Sequence, residues 1–201
     1  MHKAILLDLG KVLVHFDFTI AYRTLESLCP YTALEIPRRL SQTDLVRRLE
    51  TGLIDPRDFV AQTSTLLDLH ISYQEFCRIF GCIFAETLLP ESLLEALALR
   101  YRLILLSNTN ALHFPVLQEK YGHMLRHFHH QVLSHEVRAM KPSPEIYRAA
   151  VRAARCRPEE CFYTDDIAAF VQAARDFGID AVQFESCAQL ERELRARGIR
   201  W

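Results

Sequence analysis

The chain has 201 residues, half of them hydrophobic, with a net charge of −1 and a pI near 6.8. This length accommodates one ordinary domain with a sizeable insertion, and it is too short for two full-sized enzymatic domains and a linker. The near-neutral charge and the lack of a Lys/Arg run argue against a nucleic-acid partner or an anionic membrane surface.

The N-terminal segment predicts a short buried strand that ends in a carboxylate. The apolar run Ala4–Leu7 is followed by Asp8 and, two residues later, by Gly10. Because Asp8 interrupts the apolar run, the segment lacks the continuous core of a signal peptide. No later apolar run reaches the length of a membrane span. We therefore expect a cytoplasmic protein with no membrane partner.

Helix signals dominate the segment that follows the first strand. Asp55-Pro56 and Ser72-Tyr73-Gln74-Glu75 are typical of helix starts, the second with the spacing of a capping box. Gly52 is expected to end a helix over Leu45–Thr51. We expect an insertion of four helices here.

The rest of the chain alternates between short apolar runs and helical patterns. Ser143-Pro144 predicts a helix start, and Gly178 predicts the end of the helix that runs through Ala168–Phe177. The further predicted strands, the second of them weaker, are Leu103–Leu106, Gln131–Leu133, Cys161–Tyr163 and Ala181–Phe184. This alternation predicts an α/β fold with a doubly wound parallel sheet covered on both faces.

Polar side chains follow three of the predicted strands. Asp8 follows the first, Ser107 and Asn108 follow the second, and Asp165-Asp166 follow the strand at Cys161–Tyr163. Ligands of open parallel sheets bind outside the carboxyl ends of the strands, so these groups are expected to converge on one site. Helix capping explains Ser107–Asn110 equally well when that segment is taken alone.

The carboxylates at this edge predict a cation. Asp165 and Asp166 are adjacent and repel each other unless a cation or a proton relieves them. Oxygen-rich clusters of this kind suit Mg²⁺, which pairs carboxylates with waters and a substrate phosphate. Lys141 precedes a predicted helix and is placed to bring a fixed positive charge to the same edge.

The cysteines and histidines give weaker signals. Six cysteines lie in apolar segments without CxxC spacing, which favours reduced core thiols over a zinc site. Five histidines fall between positions 123 and 135, but His129 and His130 point to opposite faces of a predicted strand, so we interpret the cluster as incidental.

Four motifs, in their order along the chain, resemble those of the haloacid dehalogenase superfamily. They are DLGKVLV from Asp8, LSNTN from Leu106, KPSPEIY from Lys141 and YTDD from Tyr163. The similarity is greatest to the branch of small sugar-phosphate phosphatases with an Asp-Leu-Gly first motif and a helical cap. The resemblance implies a Rossmann-like core over residues 1–15 and 90–201, with the inserted helical cap over residues 16–89.

The resemblance also implies a role for each motif residue. Asp8 corresponds to the nucleophile that forms an aspartyl-phosphate, and Lys141 to the lysine that bridges nucleophile and phosphate. Ser107 and Asn108 correspond to the phosphate-binding positions, with Asn108 at a helix start. The implied Mg²⁺ ligands are Asp8, Asp165, Asp166 and the backbone carbonyl of Gly10. The implied reaction is magnesium-dependent hydrolysis of a small phosphorylated metabolite.

Three positions depart from the family pattern. Most family phosphatases carry an aspartate general acid where this chain has Gly10, although the branch it resembles also has glycine there. Phe170 stands where the family commonly has an asparagine that holds the metal-binding loop. His15 replaces a common aspartate, and we interpret it as structural, with proton transfer as the less favoured role.

Two alternatives to the phosphatase remain open. One is a catalytically weakened member that binds a phosphorylated ligand or a protein partner, which Gly10 and Phe170 keep possible. The other is a metal-free haloacid dehalogenase, which would leave the Asp165-Asp166 pair without a cation to hold.

Overall fold

A five-stranded parallel sheet forms the centre of the molecule. The computed structural model describes all 201 residues. The strands lie in the order β5-β4-β1-β6-β7. Their bounds are β1 (Ala4–Leu7), β4 (Arg102–Ser107), β5 (His130–Leu133), β6 (Cys161–Asp165) and β7 (Asp180–Gln183). The chain builds outward from β1 to β5 and then returns to the other side of β1, so the topological switch point lies beside the end of β1.

The predicted doubly wound sheet is confirmed, and each predicted strand is found within two residues of its expected ends. Alternate residues of the central strands enter two separate hydrophobic cores. Ile5 and Leu103 belong to one core, and Leu6 and Ile104 belong to the other. Helices cover both faces, which explains why these strands are continuously apolar rather than alternating.

The helices that cover the sheet follow the strands in turn. They are α6 (Glu91–Ala98), α7 (His113–Leu125), α8 (Ser134–Val137), α9 (Pro144–Ala154), α10 (Ala168–Asp176) and α11 (Cys187–Ala196), with a 3₁₀ turn at Pro158–Glu160. Helices α6, α7 and α11 contribute to the first core, and α9 and α10 contribute to the second.

The segment between β1 and α6 contains five helices, so the expected number of four is wrong. They are α1 (Phe18–Glu26), α2 (Glu35–Ser41), α3 (Leu45–Glu50), α4 (Pro56–Leu67) and α5 (Tyr73–Gly81). Only residues 42–44 separate α2 from α3, and buried leucines continue across the break (Leu40, Leu45 and Leu49). The apolar spacing therefore resembles that of one longer helix.

These five helices share a hydrophobic core that is separate from the two cores of the sheet. A two-stranded antiparallel sheet of β2 (Val14–Phe16) and β3 (Phe84–Thr87) connects them to the rest of the chain. β2 begins directly after the Asp8 loop, so the helices are attached beside the carboxyl end of β1.

The predicted helix boundaries depend on local capping. The Asp55 carboxylate accepts a hydrogen bond from the Arg57 amide at 2.8 Å, and Ser72 Oγ accepts one from the Glu75 amide at 3.1 Å. The Glu75 carboxylate pairs with Arg78 rather than with Ser72, so the expected capping box is only half formed. Gly178 has φ +94° directly after α10, a conformation that glycine adopts without strain.

All six cysteines are free thiols, but the description of them as core thiols holds fully only for Cys161, which is buried. Cys82 is exposed and the other four are half-buried, because the apolar segments that contain them also have a solvent face. None of the helices combines the length and the hydropathy that crossing a membrane requires.

Candidate active site

Three neighbouring strands bring the predicted site residues to one edge of the sheet. Asp8 follows β1, Ser107 ends β4 and Asp165 ends β6, and both β4 and β6 pair with β1. Asp8 and Lys141 line a cavity of about 350 Å³ together with Asp166. The convergence expected from the three strand ends is therefore present in the structure.

Lys141 lies at the centre of this edge. Its Nζ donates hydrogen bonds to Asp8 Oδ1 and Asp165 Oδ2, both at 2.6 Å, and to the Leu106 carbonyl at 3.1 Å. These bonds use all three ammonium protons. The lysine side chain is 1 % exposed, so it holds the two carboxylates together in a nearly dry environment.

The Asn108 side chain holds the backbone of Lys141. Asn108 Nδ2 donates to the Lys141 carbonyl at 3.1 Å, and Asn108 Oδ1 accepts from the Lys141 amide at 2.8 Å. The expected helix start at Asn108 is wrong, because α7 begins at His113 and residues 108–112 form a loop. The Asn110 carboxamide oxygen, rather than a residue at the strand end, accepts the Leu112 and His113 amides.

The two adjacent aspartates have different surroundings. Asp165 is fully buried, and it accepts hydrogen bonds from Lys141, from the Tyr163 hydroxyl and from the Ile167 amide. Asp166 is half-buried, lines the cavity and makes no such side-chain contacts. Asp165 therefore helps to position Lys141, whereas Asp166 has both carboxylate oxygens free for a ligand.

Burial and charge shift the pKa values of the site. Burial, with a smaller contribution from Asp165, raises the pKa of Asp8 to about 7 against the opposing effect of Lys141. Burial by itself lowers the pKa of Lys141, but the carboxylates of Asp8 and Asp165 outweigh it and the net shift is upward. Burial and the neighbouring Asp165 also raise the pKa of Asp166. The site therefore favours an additional cation.

The donor set fits a hard divalent ion. Asp8, Asp165 and Asp166 each offer a carboxylate oxygen, and these atoms lie within 4.8 Å of one another. All of the donors are oxygens, as Mg²⁺ prefers, and Lys141 offsets only one of the three negative charges. Asp8 and Asp166 have more free oxygen capacity than Asp165, since three protein groups already hydrogen-bond to Asp165.

An aromatic ring fills the space beside Gly10. A Cβ atom built on Gly10 would lie 2.5 Å from Cε1 of Phe16, far inside van der Waals contact. Gly10 does not have a positive φ, so the need for glycine is steric rather than conformational. Phe16 occupies the volume that a side chain at position 10 would use, and the sequence gives no signal of this.

Phe170 packs against the buried lysine instead of holding the metal-binding loop through a side-chain amide. Its ring centroid lies 5.3 Å from Lys141 Nζ, within the range of a cation–π contact. The Tyr147 hydroxyl donates to the Phe170 carbonyl at 2.7 Å. The start of α10 is thus held by a hydrogen bond to the backbone of Phe170 and by packing of its ring. The family commonly has an asparagine at this position.

A second, smaller cavity of about 90 Å³ adjoins the first. Its wall includes Ser107 from β4 and aromatic residues of the inserted segment, Phe18 and Phe84. The two cavities share four lining residues, Gly10, Phe16, Glu50 and Asn108.

His15 lines neither cavity. Arg47 and Arg48 of α3 also line neither cavity, and both pair with Asp44. Glu50, on the same helix as the arginines, does line both. The sequence gives no signal of this position, because the stretch RRLE is typical of a solvated helix face.

The histidines near position 130 have structural partners. His129 Nδ1 accepts a hydrogen bond from the Leu103 amide at 3.1 Å, and His127 Nε2 contacts Glu91 at 2.9 Å. These contacts agree with the interpretation that the cluster is incidental.

Comparison with known proteins identifies the class that this fold and edge define. A family model of haloacid dehalogenase-like hydrolases matches residues 2–178. The chain belongs to this family, and it is a hydrolase.

Two proteins of Bacteroides thetaiotaomicron are similar to this chain over nearly its full length. The chain is 26 % identical over 200 residues to the D-ribitol-5-phosphate phosphatase of Bacteroides thetaiotaomicron, covering 96 % of this chain and 97 % of that protein. A magnesium-bound structure of a haloacid dehalogenase family enzyme from the same organism superposes with a TM-score of 0.82 at 25 % identity, covering 95 % and 98 % of the two chains.

An L-2-haloacid dehalogenase of Xanthobacter autotrophicus has the same fold. It matches with a TM-score of 0.63 at 20 % identity, over all of this chain and 85 % of that chain. This likeness concerns the fold alone.

Proposed function

We propose that this chain is a magnesium-dependent phosphatase of a small phosphomonoester, such as a sugar phosphate, with Asp8 as its nucleophile. One observation carries the proposal. Lys141 Nζ binds both Asp8 and Asp165 at 2.6 Å, and a third carboxylate, Asp166, lies within 4.8 Å of the other two. One ammonium group among three carboxylates leaves an excess of negative charge, which a bound Mg²⁺ ion would offset.

The relatives support both parts of this proposal. The D-ribitol-5-phosphate phosphatase matches nearly the full length of this chain, and the family enzyme with a TM-score of 0.82 contains magnesium. We take from them the class of substrate, a small phosphorylated metabolite, and the metal.

We further propose that residues 16–89 act as a cap over residues 1–15 and 90–201. The five helices of this segment have their own core, and Phe18, Glu50 and Phe84 line the small cavity beside Ser107. A cap in this position excludes water and contacts the leaving group.

In the proposed first step, one Asp8 carboxylate oxygen attacks phosphorus. A bond forms from that oxygen to phosphorus, and the phosphorus–oxygen bond to the alcohol breaks. Lys141 keeps Asp8 ionised and oriented, and the Ser107 hydroxyl donates to a phosphoryl oxygen. Water then hydrolyses the aspartyl-phosphate and releases inorganic phosphate.

Asp8, Asp165, Asp166 and the Gly10 carbonyl would hold Mg²⁺, which would offset the charge of the phosphate dianion that the nucleophile otherwise repels. Both Lys141 and the metal are needed, because the substrate adds two further negative charges to the site.

The test is a panel of phosphorylated sugars, polyols, nucleotides and 4-nitrophenyl phosphate, assayed with Mg²⁺ and after chelation with EDTA. We expect turnover that requires Mg²⁺, and none by Asp8→Asn under the same conditions. Full activity after chelation, or release of halide from 2-chloropropionate, would contradict the proposal and favour the metal-free dehalogenase. Phosphate-ester binding without any turnover would favour the weakened, ligand-binding alternative.

A further inference from the structure

Glu50 is a carboxylate of the inserted segment that faces the proposed active site. It is the last residue of α3, and it lines both the cavity of Asp8 and Lys141 and the smaller cavity of Ser107. It therefore lies at the junction of the two cavities, which is also where Gly10 and Phe16 lie.

Nothing in the fold stabilises a carboxylate at this position. Glu50 is half-buried, and no Lys, Arg or His pairs with it. It also lies at the C-terminal end of a helix, where the backbone dipole disfavours negative charge. Burial raises the pKa of Glu50 to about 6. A partly buried acid without a partner lowers the stability of the fold, and such groups are common at functional sites. Here the acid borders the proposed reaction site.

The same junction lacks an acid at position 10. Gly10 has no side chain, and Phe16 fills the adjacent space, so nothing at position 10 protonates a departing alkoxide. The other ionisable side chains that line the two cavities are unsuitable as proton donors to the leaving group. Asp8 and Lys141 bind each other, and Lys11 carries an ammonium group, which is a much weaker acid than a carboxyl group.

His113 and Asp166 are equally unsuitable as proton donors. Both His113 ring nitrogens are engaged, by Asn110 and by the Phe80 carbonyl, and Asp166 belongs to the proposed metal site. Glu50 is the remaining acid.

We infer that Glu50 is the general acid of this chain, a catalytic residue supplied by the inserted helices in place of a side chain at position 10. The inference rests on the proposed phosphatase function. In the step concerned, the phosphorus–oxygen bond to the alcohol breaks and its electron pair goes to the leaving oxygen. That oxygen takes the proton of the Glu50 carboxyl group. The resulting Glu50 carboxylate then accepts a proton from the water that attacks the aspartyl-phosphate, which restores the acid.

The test compares wild type with Glu50→Gln on a series of phosphate esters of graded leaving-group basicity, from 4-nitrophenyl phosphate through phenyl phosphate to alkyl phosphates. Glutamine is nearly isosteric and keeps a hydrogen-bond donor but transfers no proton. We expect the phosphorylation step, measured in a single turnover, to slow at least about a hundredfold for alkyl phosphates. For 4-nitrophenyl phosphate, which needs the proton least, we expect a change within about threefold.

Glu86→Gln serves as the matched control, because Glu86 is exposed on β3 and lines neither cavity. Unfolding of each variant is measured alongside, and we expect Glu50→Gln to be at least as stable as wild type, since it loses a buried charge. A uniform slowing across the ester series, or no slowing, would overturn the role of Glu50. Failure of wild type to hydrolyse any ester would instead overturn the proposed function itself.

Discussion

The carboxamide of Asn108 and the backbone of Lys141 form a reciprocal pair of hydrogen bonds, at 2.8 and 3.1 Å. This pair joins the loop after β4 to the loop that precedes α9. It fixes the backbone from which Lys141 extends to Asp8. Asn108 thus acts as a positioning residue through its side chain, whatever its backbone amide contributes to phosphate binding.

Asn108→Ala is expected to lower kcat more than it raises KM. The variant leaves the Lys141 amide and carbonyl without partners, at a cost of about 1–3 kcal/mol in the free energy of unfolding. It keeps the backbone amide of residue 108 for the phosphate. Steady-state kinetics and urea unfolding give the two values. A large rise in KM with unchanged kcat would show that the side chain binds substrate directly.

Asp166→Asn is expected to lower the affinity for Mg²⁺ without lowering the stability of the fold. Asp166 has free carboxylate oxygens, and the pKa of its carboxyl is raised by burial and by Asp165, so removing its charge relieves repulsion. We expect at least about a tenfold higher Mg²⁺ concentration at half-maximal activity, equivalent to ~1.4 kcal/mol, and an unchanged or higher Tm without metal. Asp176→Asn, at the end of α10, is the control. Equal Mg²⁺ dependence in both variants would place the metal elsewhere.

Asp8→Asn is expected to abolish turnover while the fold holds. An amide is no nucleophile, but its oxygen still accepts the Lys141 hydrogen bond. The variant also removes a carboxylate that burial disfavours, as the upward shift in the pKa of Asp8 to about 7 shows. We expect at least about a thousandfold loss of kcat, or ~4 kcal/mol in the barrier, with an equal or higher Tm. Activity within about tenfold of wild type would mean that Asp8 is not the nucleophile.

Gly10→Asp alone is not expected to place a working acid at position 10. The new Cβ would collide with the ring of Phe16, which lies 2.5 Å away. In a Glu50→Gln background, where the acid of the inserted helices is absent, the double variant Gly10→Asp/Phe16→Leu removes the ring and is expected to flatten the dependence of the phosphorylation rate on leaving-group basicity. Phe16→Leu by itself is the control. If the single variant flattens that dependence as well as the double variant does, the steric explanation is wrong.

The contribution of His113 to the stability of the fold is expected to fall as the pH drops from 6.5 towards 4. Burial lowers the pKa of this imidazole from 6.5 to about 4, against a smaller opposing effect of its bond to the Phe80 carbonyl. Between these values the unfolded chain binds a proton that the folded chain does not, so the folded state loses up to about 3 kcal/mol by pH 4. Above pH 6.5 both states are neutral and the stability is fully present.

The matched variant for this effect is His113→Gln, which keeps one acceptor and one donor at the site. Urea unfolding is measured at pH 7 and pH 5, and the change in the free energy of unfolding between them is expected to be less favourable in wild type than in the variant by about 2 kcal/mol. Equal changes in the two proteins would mean that His113 titrates normally in the folded chain.

Local signals in the sequence were enough to predict the sheet and its polar edge. A strand buried on both faces must be apolar throughout, and a cap such as Asp55 or Ser72 acts on amides within three residues, so both leave marks in short segments. Asp8, Ser107 and Asp165 could be assigned to one edge because parallel strands place their carboxyl ends together.

Tertiary packing decided how these groups are used. The three bonds of Lys141, the ring of Phe16 beside Gly10 and the position of Glu50 between two cavities join residues that are distant in the chain. Helix periodicity specifies which side of α3 is apolar, but it does not specify which residues surround Glu50 at the end of the helix. That contact depends on how the inserted helices pack against the sheet, because a side chain acquires its charge environment only from the groups that the whole fold places around it.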